Sequence, residues 1–234
     1  MRTLIIIPAL NEENNIVRTL EELRLHGFED IVVIDDGSSD QTAFKAAEAG
    51  VKVLKLPFNL GIGAAVQTGL SFAKRCGYDA VVRIDSDGQH DPAFIRDLLS
   101  GIGQGHDLVI GSRFLHPDSQ YRSSFVRRIG IHFFSWLISS LAGARVSDPT
   151  SGFQAFGEKA VELFSAVYPT DFPEPEATVL AKRAGLSVCE VPVKMRSRMS
   201  GVSSIRYLRT LYYMVKVTLA ILLDMMKPAG RPRG

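Results

Sequence analysis

Asp85, Asp87 and Gln89 stand at alternate positions in the stretch VVRIDSDGQHDP, residues 81–92, directly after a short apolar run. Two carboxylates this close at a strand end repel one another, and a divalent cation relieves that repulsion because hard oxygen ligands suit Mg²⁺ or Mn²⁺. Such an ion is commonly held by one or two carboxylates and completes its shell with water and substrate phosphates. The amide oxygen of Gln89 is spaced to reach the same ion. Simpler readings compete. A DxD triplet is common, and Asp91 before Pro92 has the pattern of a helix N-cap with proline at the first helical position. His90 suits a hydrogen bond to the strand end.

Other phosphate and nucleophile chemistries are excluded by pattern. In NLGIGAAVQTGL, residues 59–70, Gly61 and Gly63 follow the third apolar run rather than the first, and Val66 occupies the last fingerprint position. A nicotinamide or flavin site is therefore not expected. No GxxxxGK[ST] phosphate loop and no GxSxG nucleophile elbow occurs. The two cysteines, Cys76 and Cys189, are far apart and form no CxxC pattern, which points to a reducing compartment without structural zinc.

These polar stretches need elements to hold them. The runs TLIIIP, DIVVID, VKVLKL, DAVVRID and DLVIGSRF read as five strands. Helical spacing separates them: Ile16, Leu20 and Leu23 within 12–25, a segment ending at Gly77, and one near 92–103. Ser39 or Asp40 is placed to cap the helix after the second strand. Near-continuous apolar strands alternating with helices predict a mostly parallel sheet covered on both faces. Ligands bind beyond the C-terminal strand ends of such sheets, where PALNEE, DDGSSD and DSDGQHD converge. Further on, residues 158–166 and 174–184 read as helices and LSVCEVPVKM as a last strand.

The net charge of +2 conceals a split. Residues 182–234 carry 11 Lys and Arg against only Glu190 and Asp224, so the preceding body is acidic. A basic tail suits an anionic partner, either lipid headgroups or substrate phosphates. No nucleic-acid-binding motif accompanies the charge. The N-terminal apolar run is too short for a signal peptide. Residues 205–227 form a helix on which Arg206, Arg209, Lys216, Asp224 and Lys227 fall within a sector of about 80°. Lys216 and Asp224 interrupt what would otherwise be a span. That helix packs on the domain's own core, lies in a membrane interface, or covers a small integral membrane partner. Arg122, Arg127 and Arg128 beside Phe133, Phe134 and Trp136 read equally as an interfacial helix or as core aromatics.

IIIPALNEENNI, VVIDDGSSDQT, NLGIGAAVQTGL, RIDSDGQHDP, GSRF, DPTSGFQAF and RSRMSGVSS follow one another in this order. Together they resemble glycosyltransferase family 2, and within it the polyprenyl- and dolichyl-phosphate sugar synthase branch, over about residues 3–226. The resemblance implies a GT-A domain over residues 1–204, followed by an amphipathic helix and basic tail over 205–234. It implies inverting transfer from a nucleotide-sugar donor by a peripheral protein at the cytoplasmic face of a membrane. Carried over by position, Pro8, Asn11 and Glu12 would line the base and ribose pocket, and Asp36, with Asp35 beside it, would contact the nucleoside. Asp85, Asp87 and Gln89 would hold Mg²⁺ or Mn²⁺ against the diphosphate. Arg113 would approach the phosphates, and Arg198 and Ser200 would lie on a loop closing over them. Ser204 stands where family members often carry lysine, a role that Arg196 or Arg206 could fill. A polyprenyl phosphate acceptor needs no general base, because it is already anionic. A glycan hydroxyl needs one, and Asp148, Glu174 and Glu176 are the candidates. Glu174 and Glu176 equally suit the acidic first turn of a helix. A third reading is a nucleotide-sugar-binding or membrane-adaptor protein without catalysis, against which the intact acidic set and Arg113 argue.

Overall fold

The structure is a computed structural model and describes residues 1–116, 135, 146–170, 173–196 and 218–219. Seven strands form one sheet: β1 (Thr3–Ala9), β2 (Ile31–Asp35), β3 (Lys52–Lys55), β4 (Ala80–Arg83), β5 (Leu108–Ser112), β6 (Gln154–Gly157) and β7 (Val188–Pro192). Their spatial order is β3-β2-β1-β4-β6-β5-β7. The helices are α1 (Ile16–Leu25), α2 (Thr42–Glu48), α3 (Ile62–Arg75), α4 (Ile95–Gly103), α5 (Glu158–Ala166) and α6 (Pro173–Arg183).

Strand alternation divides the core into two layers. Leu4 and Ile6 of β1, with Val32, Ile34 and Val81, face Val66 and Leu70 of α3 and Phe164 of α5. Ile5 and Ile7, with Val33 and Val82, face Ile16, Leu20 and Leu23 of α1 and Ile95 and Leu98 of α4. Each central strand thus buries both of its faces, which requires the unbroken apolar runs seen in the sequence. The five expected strands and the helices around them are all present.

Two local features differ from expectation. The four-residue β6, QAFG, pairs antiparallel with both β4 and β5. It is too short to show a period of two, and its polar Gln154 hides it further. At α2 the N-cap position belongs to Gln41, while Asp40 Oδ1 accepts from the Thr42 N–H at 2.9 Å. The expected cap at Asp91 is present, its carboxylate accepting from Ala93 N–H at 3.1 Å with Pro92 at the first position.

The chain turns back on itself at β1. β2 and β3 are laid down on one side of it and β4 on the other. This reversal opens a crevice at the C-terminal ends of β2, β1 and β4. Arg198, Ser200, the aromatic segment 122–142 apart from Ser135, and the helix 205–227 apart from Thr218 and Leu219 lie outside the described residues.

Candidate active site

On the β2 side, the crevice contains a cleft of about 260 Å³ lined by Pro8, Ala9 and Leu10 from the end of β1, Asp36 from the end of β2, and Asn59, Gly61, Ile62 and Ala65. Asp36 is buried, and its two carboxylate oxygens accept from Leu60 N–H at 2.8 Å and Gly61 N–H at 3.0 Å. It therefore fixes the loop entering α3 while lining the cleft. Asn11 adopts a left-handed backbone (φ 54°), and its Oδ1 accepts from Ser39 N–H at 2.9 Å. The Glu12 carboxylate accepts from Asn15 Nδ2 at 2.7 Å. Pro8 and Asp36 thus line the cleft, whereas Asn11 and Glu12 brace the loops that frame it.

On the β4 side, Asp85 follows the strand end directly. Its backbone N–H donates to His90 Nδ1 at 3.0 Å, its Oδ1 accepts from Arg83 Nη2 at 3.3 Å, and its Oδ2 lies 3.7 Å from His90 Nε2. His90 is buried and stacked on Phe153, with centroids 4.8 Å apart. Burial holds its imidazole below its usual range against the pull of Asp85 and Asp87. Since Nδ1 accepts, the neutral ring carries its proton on Nε2, facing Asp85. Asp87 Oδ1 accepts from Gln89 N–H at 3.0 Å, which closes the DSDGQ turn. Gln89 O accepts from Arg196 N–H at 2.9 Å and so binds this turn to the end of β7.

The metal expectation can be tested on the donor set. Among the described residues, no three His, Cys, Asp or Glu side chains gather closely enough to hold an ion by themselves. Asp85 and Asp87 on one short turn instead fit a hard cation whose remaining positions would be filled by water and other oxygen ligands.

Two buried ion pairs were not foreseen. Arg113 donates from Nε to Asp148 Oδ2 at 2.6 Å, from its backbone N–H to the same oxygen at 3.0 Å, and from Nη2 to Thr150 Oγ1 at 2.7 Å. Asp148 is wholly buried. Asp148 and Arg113, assigned separate tasks from sequence, are thus one unit. Arg83 Nη1 lies 2.8 Å from Glu174 Oε1 in the first turn of α6. Glu174 and Glu176 do occupy a helix start, as the dipole reading of FPEPE expected. Arg196, a candidate phosphate ligand, instead bonds Glu22 at 2.6 Å and Asp91 at 2.9 Å. None of these partnerships leaves a local signal in the sequence, because each joins residues far apart in the chain.

A family model for glycosyl transferase family 2 matches residues 4–164. A UDP-N-acetylglucosamine–dolichyl-phosphate N-acetylglucosaminyltransferase from Methanococcus voltae is 32% identical over 210 residues, covering 81% of this chain and 84% of that protein. A polyprenol monophosphomannose synthase from Mycolicibacterium smegmatis is 33% identical over 217 residues, covering 86% and 80%. A glucosyl-3-phosphoglycerate synthase from Mycobacterium tuberculosis, solved with Mn²⁺, UDP and glucosyl-3-phosphoglycerate, superposes with a TM-score of 0.71 at 24% identity, covering 95% of this chain and 79% of that one. The fold is accordingly GT-A-like.

Proposed function

Since the chain belongs to glycosyltransferase family 2, we propose that it moves a sugar from a nucleotide-sugar donor to a polyprenyl-type lipid phosphate at the cytoplasmic face of a membrane. The names of the relatives support this acceptor, because one is a dolichyl-phosphate N-acetylglucosaminyltransferase and another makes polyprenol monophosphomannose. The observation that carries the reading is the state of two of the three candidate bases, Asp148 and Glu174. A hydroxyl acceptor must lose a proton as it attacks, which calls for a carboxylate free to take it. Asp148 is enclosed by Arg113, and Glu174 is paired with Arg83. A phosphate acceptor attacks as an anion already and needs neither.

In this reading Pro8 and Asp36 bound the nucleoside, with Asn11 and Glu12 holding the surrounding loops. Asp85 and Asp87, joined by Gln89, hold Mg²⁺ or Mn²⁺, which when bound offsets charge on the diphosphate leaving group. Arg113, its charge balanced by Asp148, is held rigidly at the end of β5 as a hydrogen-bond donor to the phosphates. Arg198 and Ser200, outside the described residues, are assigned to phosphate binding. Residues 1–204 are assigned as the catalytic domain, and the amphipathic sequence of 205–234, described only at Thr218 and Leu219, is assigned to contact with lipid or a membrane partner. No helix among the described residues is long and apolar enough to cross a membrane.

The test is release of nucleoside diphosphate from a donor panel, with Mn²⁺ and polyprenyl phosphate in detergent. Release that depends on the lipid phosphate, and falls by about 10²-fold or more in Asp87→Ala, is the expected result. No stimulation by lipid phosphate with any donor overturns the acceptor assignment. So does release stimulated by a glycan hydroxyl and lost in Glu176→Gln.

A further inference from the structure

The carboxylate that begins the acidic turn does not stand alone. Arg83, whose side chain is 3% exposed, sends Nη2 to Asp85 Oδ1 at 3.3 Å and Nη1 to Glu174 Oε1 at 2.8 Å. Its Nε and Nη1 and the neighbouring Tyr168 hydroxyl are buried without a hydrogen bond among the described residues, so Glu174 meets the guanidinium as a close ion partner rather than through an aligned hydrogen bond. The guanidinium therefore draws its compensation from the two carboxylates rather than from backbone acceptors. A side chain at Gly152 would obstruct this contact, since a Cβ there would lie 2.8 Å from Arg83 Nη2 and 3.2 Å from Asp85 Oδ2. Glycine keeps the guanidinium and carboxylate pressed together. The arrangement also reaches the other half of the crevice. Tyr168 and Thr170 belong to one loop, and the Thr170 carbonyl accepts from Gly63 N–H at 3.2 Å in the first turn of α3. A Cβ at Gly63 would lie 2.1 Å from the Pro169 carbonyl oxygen, so that docking too is close.

A permanently charged guanidinium beside a cation-binding carboxylate is costly to cation binding unless its charge is cancelled. Glu174 is placed to cancel it. We propose that Arg83 is a positioning residue that fixes the orientation of Asp85, and that Glu174 is the counter-charge that preserves the affinity of the acidic turn for a divalent cation. The proposal rests on the metal reading given above. With both residues present, Arg83 and Glu174 neutralise each other, and Asp85 and Asp87 offer their full charge to the ion. Removing Glu174 leaves an uncancelled positive charge next to Asp85. Removing Arg83 leaves an extra negative one and frees the Asp85 carboxylate to rotate.

These consequences have opposite signs, which a purely structural role would not produce. The experiment measures Mn²⁺ binding to the full-length protein, without donor or acceptor, by electron paramagnetic resonance titration, alongside nucleotide release. Glu174→Gln is expected to weaken Mn²⁺ binding by at least about tenfold, the lower end of what a unit charge several Å from a divalent ion is worth. Arg83→Gln is expected to bind Mn²⁺ as tightly as the wild type or more so, while nucleotide release falls because Asp85 has lost its brace. The double variant Arg83→Gln/Glu174→Gln returns Mn²⁺ affinity to within about twofold of the wild type. Its two neutral side chains can replace a buried ion pair without a stranded charge, so it also serves where a single variant fails to fold. Equal Mn²⁺ affinity in the wild type and Glu174→Gln overturns the counter-charge role, as does a double variant bound as weakly as Glu174→Gln. A wild type that binds no Mn²⁺ overturns the metal reading itself, which is a distinct result.

Discussion

The two halves of the crevice are held by different means. On the β2 side, acidic and amide groups are fixed by backbone N–H groups and hydroxyls: Asp36 by Leu60 and Gly61, Asp40 by Thr42, and Asn11 by Ser39. On the β4 side, guanidinium groups do this work: Arg83 holds Asp85 and Glu174, Arg113 holds Asp148, and Arg196 holds Asp91 and Glu22. Backbone donors impose shape at little electrostatic cost, which suits a pocket for an uncharged base and ribose. Guanidinium–carboxylate pairs cancel one another's charge while fixing where each carboxylate points, which in the proposed function suits the half assigned to the metal and diphosphate.

Breaking a buried guanidinium pair should have the largest consequence. Arg113→Met strands the wholly buried Asp148 carboxylate and should cost about 3–5 kcal/mol. For a chain of this length that lowers the melting midpoint by about 10 °C, measurable by calorimetry. A backbone-held site should break more gently. Asp36→Ala leaves the Leu60 and Gly61 N–H groups without their carboxylate and should cost about 1–3 kcal/mol. Its main effect should be weaker nucleotide binding in an equilibrium titration. If Asp36→Ala proves as destabilising as Arg113→Met, the contrast between the halves fails.

The comparison sharpens further with pH. His90 is held neutral by burial, so its native pKa lies below that of the unfolded chain. The unfolded chain then binds more protons beneath a pH of about 6.5, and stability falls as pH drops through that window. The contribution is full above it. The slope from this one residue is at most about 1.4 kcal/mol per pH unit. In His90→Gln, urea unfolding measured between pH 5 and pH 7 (roughly the span in which an imidazole titrates) should show a shallower dependence than in the wild type. The smallest effect belongs to Arg196→Gln. With a side chain 37% exposed, this guanidinium is partly screened, and its loss should cost less than about 1 kcal/mol by denaturant unfolding. A larger cost would show that the bridge from β7 to α1 is held as firmly as the buried pairs.

What could be read from the chain follows the same division. The strand ends at Pro8, Asp36 and Asp85 were legible because unbroken apolar runs announce buried parallel strands, and polar turns directly follow them. The cap at Asp91 was legible because its partner, Ala93, is two residues away. The guanidinium pairs were not, because Arg113 meets Asp148 across 35 residues and Arg196 meets Glu22 across 174. Nothing local distinguishes an arginine that will bind phosphate from one that will be neutralised by a distant carboxylate. Asp148 and Glu174, candidate bases by sequence, are each found paired with an arginine, which is why they are proposed as counter-charges.

The sequence by itself determined the sheet's parallel framework, the order of the polar turns and the pairing of two carboxylates on one of them. Each of these depends on residues within a few positions of one another and on the burial that apolar periodicity demands. Only the tertiary structure decided that the short QAFG strand inserts antiparallel between β4 and β5, and that Arg83 stands between Asp85 and Glu174. Those outcomes depend on which distant segments share the low-dielectric interior. There an unpaired charge is so costly that the fold must bring partners together from wherever in the chain they lie.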